Sequence, residues 1–419
     1  MKYNFIDLFA GAGGLSEGFI QAGFEPIAHV EIEKSACNTL KTRAAYHYLK
    51  SNNKYKTYVS YLKGEISREE LYSCIPKEIL DSVINLPIGE ENNQLIQNQI
   101  DKSLGKEMVD LIIGGPPCQA YSLVGRSRSK NNMEGDPRNH LFVQYAEYLE
   151  KYQPKMFVFE NVIGLKSAKK GHYLAEMEKL FNKKGYQIKL FTLEAINFGV
   201  LQNRKRVIIL GWKPNKKLIV PNLEEIKIDS TFLVNDLLKD LPIIMAGEGK
   251  DKFLKYKSST TDYLKKHSLR NGIDVLTQHI ARPHREQDKE IYKIAVESWN
   301  TNKERLNYNN LPERLKTHQN RTSFFDRFKV VAADVPYSQT VVAHIAKDGH
   351  YYIHPDIKQN RSISVREAAR LQSFPDDYYF EGEKEGANRT AAFKQIGNAV
   401  PPLMAKFIGE EILNVLKGI

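Results

Sequence analysis

Cysteine is scarce. The 419 residues hold three, Cys37, Cys74 and Cys118. An odd number at wide spacing builds neither a disulfide framework nor a tetrahedral metal site. A reducing, cytoplasmic compartment and a chain without a bound metal are therefore expected. Long apolar runs are missing as well. No stretch reaches the roughly 20 residues that a membrane-spanning helix needs, so no membrane partner is expected. A charged and then apolar leader is also absent. Met1-Lys2-Tyr3-Asn4 runs straight into Phe5-Ile6-Asp7-Leu8-Phe9, which reads as a buried strand and not as a signal peptide. Internal repeats and low-complexity tracts are lacking, which excludes solenoids and disordered linkers.

What is present is an ordinary globular mixture, 42% hydrophobic and 26% charged, on a chain long enough for two domains. The formal net charge is +11. Such an excess favours a polyanionic partner, because Lys and Arg release counterions when they meet phosphates. A generally basic proteome would give the same balance, so charge alone does not choose a partner.

The opening segment reads strand, glycine turn, helix: a strand over 5–9, the turn Ala10-Gly11-Ala12-Gly13-Gly14, and a helix over 15–22 stopped by Gly23. Short apolar runs at 26–30, 109–113, 156–159 and 207–210 alternate with helical patterns. That alternation predicts a parallel sheet covered on both faces, an α/β fold. Between 41 and 108 the chain is polar and helix-prone, with ten Lys or Arg against nine Asp or Glu, and reads as a helical insertion. From about 212 to 360 the alternation is lost. This span carries 25 Lys or Arg against 19 Asp or Glu, with the clusters His279-Ile280-Ala281-Arg282-Pro283-His284-Arg285, Arg314-Leu315-Lys316-Thr317-His318, Asn320-Arg321-Thr322 and Arg327. Basic residues among hydrogen-bonding side chains suit phosphate and base-edge contact. A solvated irregular surface has the same composition. An amphipathic helix is expected over 364–374. A final helix has the apolar face Val400, Leu403, Met404, Phe407, Ile408, Ile412 and Val415, begins at Pro401-Pro402, and packs back on the first domain. The predicted domains are thus 1–212, with the insertion at about 41–108, then 213–360, then a returning segment 361–419.

Four places carry chemistry. The glycine turn lacks the third glycine of the dinucleotide pattern, so a pyrophosphate cofactor is not indicated. With Glu31 ending the next strand it suits a nucleoside ligand whose ribose hydroxyls donate to the acid; a plain tight turn beside a surface glutamate is the bland alternative. Gly114-Gly115-Pro116-Pro117-Cys118-Gln119 follows a strand, where crevices form in parallel sheets. The prolines stiffen the loop, and its single cysteine is a candidate nucleophile that needs nearby cations or dipoles. Glu160-Asn161-Val162 follows a neighbouring strand and belongs on the same edge, where a carboxyl can be partly desolvated and hold a proton. Gln202-Asn203-Arg204-Lys205-Arg206 enters another strand, and alternation would put Gln202, Arg204 and Arg206 on one face.

These blocks, followed by Arg366-Glu367-Ala368-Ala369-Arg370-Leu371-Gln372-Ser373-Phe374-Pro375 and Gln395-Ile396-Gly397-Asn398-Ala399-Val400-Pro401, occur in an order that resembles the cytosine-5 DNA methyltransferase family over the whole chain. The resemblance implies an S-adenosylmethionine-dependent methyltransferase (Rossmann-like) catalytic domain with a smaller irregular target-recognition domain. That domain falls on the basic span, with Thr340-Val341 resembling its short threonine-containing marker. The implied reaction moves a methyl group from S-adenosylmethionine to carbon 5 of a cytosine flipped out of a specific double-stranded DNA site, leaving S-adenosylhomocysteine. Cys118 would attack carbon 6, Glu160 would contact N3 and the exocyclic amine, and Arg206 with Arg204 would bind the O2 side. The cofactor pocket would be lined by Phe9, Ala10, Gly11, Gly13, Gly14, Leu15, Glu31, Ile32, Pro117, Leu141, Asn398 and Ala399, with Ile32 against the adenine. DNA contacts would come from Gln119, Ser122, Gln202, Arg282, Arg321, Thr340 and Gln395. The family habit adds a cognate restriction endonuclease, a monomeric enzyme and a bacterial cytoplasm. An RNA-methylating (tRNA) member of the same fold is the nearest alternative, and the large basic span argues against it. A sequence-specific DNA-binding protein without catalysis is the other, and the intact Cys118, Glu160 and Arg206 blocks argue against that. One departure stands out. The family's aspartate for the adenine amine, expected shortly before the strand leading to Cys118, is replaced by the insertion; Glu65 in Lys63-Gly64-Glu65-Ile66 and Glu90 or Glu91 are the candidate substitutes.

Overall fold

The computed structural model describes residues 2–117, 140–215, 218–228 and 230–418. Its centre is a seven-stranded sheet of β1 (Tyr3–Leu8), β2 (Phe24–Val30), β3 (Val83–Ile84), β4 (Leu111–Gly114), β5 (Met156–Asn161), β6 (Gln187–Glu194) and β7 (Lys205–Trp212), in the order β3-β2-β1-β4-β5-β7-β6. Period-2 alternation sends Phe5, Leu111, Ile113, Met156 and Val158 to one face and Ile6, Leu8, Ile112, Phe157 and Phe159 to the other. Helices cover both. Glu90–Leu104, Leu141–Tyr152 and His172–Lys183 lie on the second face; Gly14–Ala22 and Pro402–Lys417 lie on the first. The last two helices pack so closely that a β-carbon on Gly18 would overlap Ala405 and the backbone at Pro402 and Lys406.

The sheet is not all parallel. β7 runs antiparallel to both β5 and β6, and β6 is an element the apolar-run reading passes over. Its residues alternate in burial at the sheet edge, so it offers no continuous apolar run. Among β1, β2, β4 and β5 the register aligns Leu8 with Val30 and with Gly114, and Gly114 with Phe159. The strand ends therefore release the glycine turn, Glu31, the Gly115-Pro116-Pro117 loop and Glu160 along one edge.

The insertion is helical, as expected, with Tyr55–Lys63, Arg68–Ser73 and Lys77–Asp81 following the helix Lys34–Ser51. It also holds β3, parallel to β2, so it contributes an edge strand to the sheet. Its outer surface is clamped to residues 376–388. Buried Arg43 bridges Glu17 (2.6 Å) and Asp377 (2.8 Å). Tyr58 donates to the Asp377 carbonyl at 2.7 Å, Thr42 and Tyr61 donate to Glu381, and Arg68 reaches the Gly382 and Glu383 carbonyls. Lys252, from the basic span, sits 3.5 Å from the Tyr61 ring centroid and 4.0 Å from that of Tyr379.

The span 213–360 is built mostly of turns, with a two-stranded pairing of Gly249–Lys250 with His279–Ile280 and one long helix, Glu286–Asn302. That helix is absent from the sequence reading; its buried side chains Ile291, Tyr292, Ala295 and Val296 join Tyr308, Phe328 and Ile353 in a small core of their own. The helix expected over 364–374 runs Val365–Leu371, opened by a capping box between Ser364 and Glu367. It is not amphipathic but buried all round, because its charged residues find partners inside the protein: Glu367 pairs with Arg361 (2.7 Å), Arg370 with Asp240 (2.5 Å) and Asp376 (2.6 Å), and Arg366 donates to the Thr277, Pro375 and Tyr378 carbonyls. Among the described residues no helix is long and apolar enough to cross a membrane.

Candidate active site

The edge above β1 and β2 forms a cradle. Phe9 leaves β1 at φ 59°, a left-handed conformation that turns the chain sharply into the glycine segment. The buried Glu31 carboxylate holds that turn: Oε2 accepts the Gly11 N–H and Oε1 the Glu33 N–H, each at 2.8 Å. Burial raises its pKa above the usual carboxylate value. Each carboxylate oxygen keeps acceptor capacity for a hydroxyl. Beside Gly11 nothing lies within 4 Å of where a β-carbon would stand, and Ile32 is 61% exposed. Gly13, Gly14 and Leu15 form the turn and the helix start; Ala10 is buried below, its N–H on the Val30 carbonyl at 3.0 Å. Pro117 and Asn398 are exposed, and Leu141 opens its helix partly covered. Ala399 is buried and offers its carbonyl to Arg204. An apolar platform, open backbone and an acid at the strand end fit a nucleoside cofactor. Beneath the turn, the Asp7 carboxyl is fully buried against Ser16 Oγ, and burial pushes its pKa up to about 8.

The neighbouring edge carries the loop that leads to Cys118. A β-carbon on Gly114 would overlap the Leu8 carbonyl, and one on Gly115 the Glu160 carbonyl, so the glycine pair lets this loop run against both neighbouring strands. Asn161 donates from its amide to the Pro116 carbonyl at 3.3 Å, tying the loop to β5. Cys118, Gln119 and Ser122 lie outside the described residues. Glu160 sits inside the end of β5 and pairs with Arg206 Nε at 2.8 Å. Both are mostly covered, at 17% and 13% exposure of their side chains.

Arg204 does not join them. It is fully buried, and its guanidinium donates to the carbonyls of Val341 (2.8 Å), Gly397 (3.2 Å) and Ala399 (2.7 Å). Burial alternates over 202–206, with Gln202 and Arg204 buried, Asn203 and Lys205 exposed and Arg206 partly covered, but the two arginines meet different partners. Gln202, fully buried, donates to the Leu371 carbonyl and accepts the Val341 N–H, so it does not meet DNA. Gln395 is likewise enclosed, between Thr39 and the Glu381 carbonyl. Arg282 spends its guanidinium on the carbonyls of Ile345, Ala346 and Lys347. Arg321 is exposed and pairs with Glu313 at 3.0 Å. Thr340 lies on the wall of a crevice, its hydroxyl on the Asn203 carbonyl.

That crevice, about 730 Å³, separates the sheet edge from the basic span. One wall holds Ile163, Lys205 and Arg206; the other holds Tyr337, Thr340 and Arg305. Sequence reading missed Arg305 and Tyr337, which lie outside its clusters. Among the described residues no group of three or more His, Cys, Asp or Glu could hold a metal ion.

A family model for C-5 cytosine-specific DNA methylase matches residues 3–64 and 84–414. The chain is 44% identical over 448 residues to the type II methyltransferase M.Bpa9945I of Bacillus paralicheniformis, covering 99% of each. It is 30% identical over 415 residues to M1.HphI of Haemophilus parahaemolyticus, covering 99% of this chain and 88% of that one. A crystal structure of a prophage-encoded DNA modification methyltransferase from E. coli superposes with a TM-score of 0.66 at 23% identity, covering 99% of this chain and all of that one, a likeness of fold.

Proposed function

From the premise that the chain belongs to the C-5 cytosine-specific DNA methylase family, we propose that it works through a covalent adduct of Cys118 with a cytosine flipped out of duplex DNA. The chain is a DNA cytosine-5 methyltransferase of the type II, restriction-modification kind. S-adenosylmethionine, held at the cradle of Gly11, Glu31 and Ile32, supplies the methyl group.

The observation that carries the reading is the Glu160–Arg206 pair at the strand edge where the Gly114–Pro117 loop leads into Cys118. The Cys118 thiolate adds to carbon 6 of the ring. Glu160 meets N3 and the exocyclic amine, which steadies the charge that builds on the ring, and Arg206 fixes the carboxylate and faces the O2 side. Carbon 5, now electron-rich, would take the methyl group as its bond to the sulfonium sulfur breaks and S-adenosylhomocysteine leaves. A base takes the carbon 5 proton, the thiolate leaves and aromaticity returns. The duplex lies across the mouth of the crevice, with phosphates against the cations on its walls. Arg204 acts through its backbone contacts and is a positioning residue. Modification of the cell's own DNA at one short site would protect it from a cognate endonuclease.

Bisulfite sequencing of plasmid DNA from cells expressing the chain or its Cys118→Ala variant tests this. Protected cytosines in one short motif, lost in the variant, are expected. Protection that survives Cys118→Ala would sink the adduct. A folded, cofactor-binding wild type that protects no cytosine would turn attention to RNA.

A further inference from the structure

We propose that the inserted helices hold the basic span in its working position over the site edge, with Lys252 as the positioning residue that latches the two together. The proposal rests on reading 213–360 as the part of the chain that meets DNA. The span is supported on two sides of the sheet. On the β7 side the Asn203 N–H donates to the Ser338 carbonyl (2.9 Å), the Ser338 N–H donates to the Leu201 carbonyl (3.0 Å), and Gln202 accepts the Val341 N–H. On the opposite side stands the insertion, anchored by the pairing of β3 with β2. Its Tyr58, Tyr61 and Leu62 share one buried core with Ile273 and Val275 of the basic span. In strand order the ends of β2, β1, β4 and β5 lie between these supports, and they carry Glu31, the glycine turn, the loop to Cys118 and Glu160. A span held on the β7 side alone could pivot there, and a pivot changes the width of the crevice between Arg206 and Arg305.

Lys252 sits where the second support closes. Its ammonium stands 3.5 Å from the centroid of the Tyr61 ring and 4.0 Å from that of Tyr379, and it donates to the Tyr61 carbonyl at 3.3 Å. One ring belongs to the insertion and the other to the segment clamped against it. Tyr379 also donates to Asp251, the neighbour of Lys252 in the chain. The Lys252 stem runs along the turn that ends the helix Tyr55–Lys63, where a β-carbon on Gly64 would stand 3.6 Å from that of Lys252. One side chain of the basic span thus meets a helix end and two aromatic faces. A half-buried cation between two ring faces is held more firmly than one in open water. Lys252 therefore biases the span toward its seated position without touching DNA, and its effect on DNA affinity is bounded by that bias.

Methyl transfer by the full chain to a duplex carrying the protected motif tests the latch. Lys252→Met keeps the apolar stem and removes the cation. It should raise KM for the duplex about fivefold, the scale of one lost cation–π contact, while kcat and the affinity for S-adenosylhomocysteine stay as in wild type. Lys252→Arg, which stacks between the same rings, should restore KM. A second variant, Gly64→Cys with Lys252→Cys, replaces the latch by a covalent bond, since β-carbons 3.6 Å apart suit a disulfide. Its oxidised form should bind the duplex as oxidised wild type does, and its reduced form more weakly. Comparing two states of one protein cancels the strain of a side chain at Gly64, whose φ is 75°. An unchanged KM in Lys252→Met, or cofactor affinity that falls along with it, would overturn the proposal. So would a cysteine pair that binds the duplex equally in both states. Duplex affinity indifferent to Arg305→Ala with Arg321→Ala would instead remove the reading of the span as the part that meets DNA, and this inference with it.

Discussion

Arg204 and Arg206 stand two positions apart and have opposite duties. One is enclosed and answers three backbone carbonyls; the other faces the crevice and answers one carboxylate. Removing the first takes the side-chain donor from the Val341 and Gly397 carbonyls, at about 1–3 kcal/mol each, and leaves Ala399 only the longer bond from Gln372. Arg204→Ala should therefore lower the urea midpoint strongly, with activity lost through folding. Arg206→Ala should melt close to wild type yet lose on the order of 100-fold in methyl transfer, as removal of a transition-state donor does. Equal melting of the two variants would refute the division. Sequence reading placed the Arg204–Arg206 block but not its roles: alternation tells which face a side chain takes, not the partner that a distant segment brings to it.

Elements differ in how much of them the sequence exposes. β1, β2, β4 and β5 are apolar runs with turn residues after them, and their order on the site edge follows from parallel pairing. β6, β3 and the helix Glu286–Asn302 escape the same reading. The first alternates, the second is two residues long, and the third has polar residues on most of its surface. The helix Val365–Leu371 is legible from its capping box, but its burial is not, because the partners that neutralise Arg370 lie 130 and 6 positions away. Breaking that cluster with Arg370→Met should cost about 3–5 kcal/mol, since Asp376 stays buried with only the Tyr256 hydroxyl and Asp240 keeps only Arg270. Adding Asp240→Asn and Asp376→Asn should recover part of the loss in the same denaturation experiment. No recovery would show that packing, not charge, is what Arg370 supplies.

For the molecule as a whole, buried titratable groups set a stability optimum. Burial lowers the pKa of His29 and of His279 from 6.5 to about 4. Between those values the unfolded chain takes up protons that the folded chain refuses, so stability falls as pH drops from 6.5. Asp7 acts in the other direction. With its pKa raised from 3.8 to about 8, the folded form keeps a proton that the unfolded form releases, so stability falls as pH rises and is lost by pH 8. Below 6.5 the two histidines outweigh the one aspartate; above it Asp7 acts without them. The melting temperature should peak near pH 6.5, and Asp7→Asn should abolish the decline between 6.5 and 8. A wild-type melting temperature still climbing at pH 8 would show that Asp7 is ionised.

The contact between the helices Gly14–Ala22 and Pro402–Lys417 has a consequence in time. Tyr3 bonds to the Leu416 carbonyl across 413 positions of chain. At the ribosome, synthesis of that interval takes roughly 20–80 s. Throughout that delay the face of β1 and its helix that Leu403, Met404, Ile408 and Ile412 will cover has no lid. The catalytic sheet is therefore finished late, and until the covering helix emerges its apolar face stays open to water and to other chains. A message broken before codon 402 yields no partly active enzyme loose on the chromosome, only an uncovered apolar face that quality control can recognise.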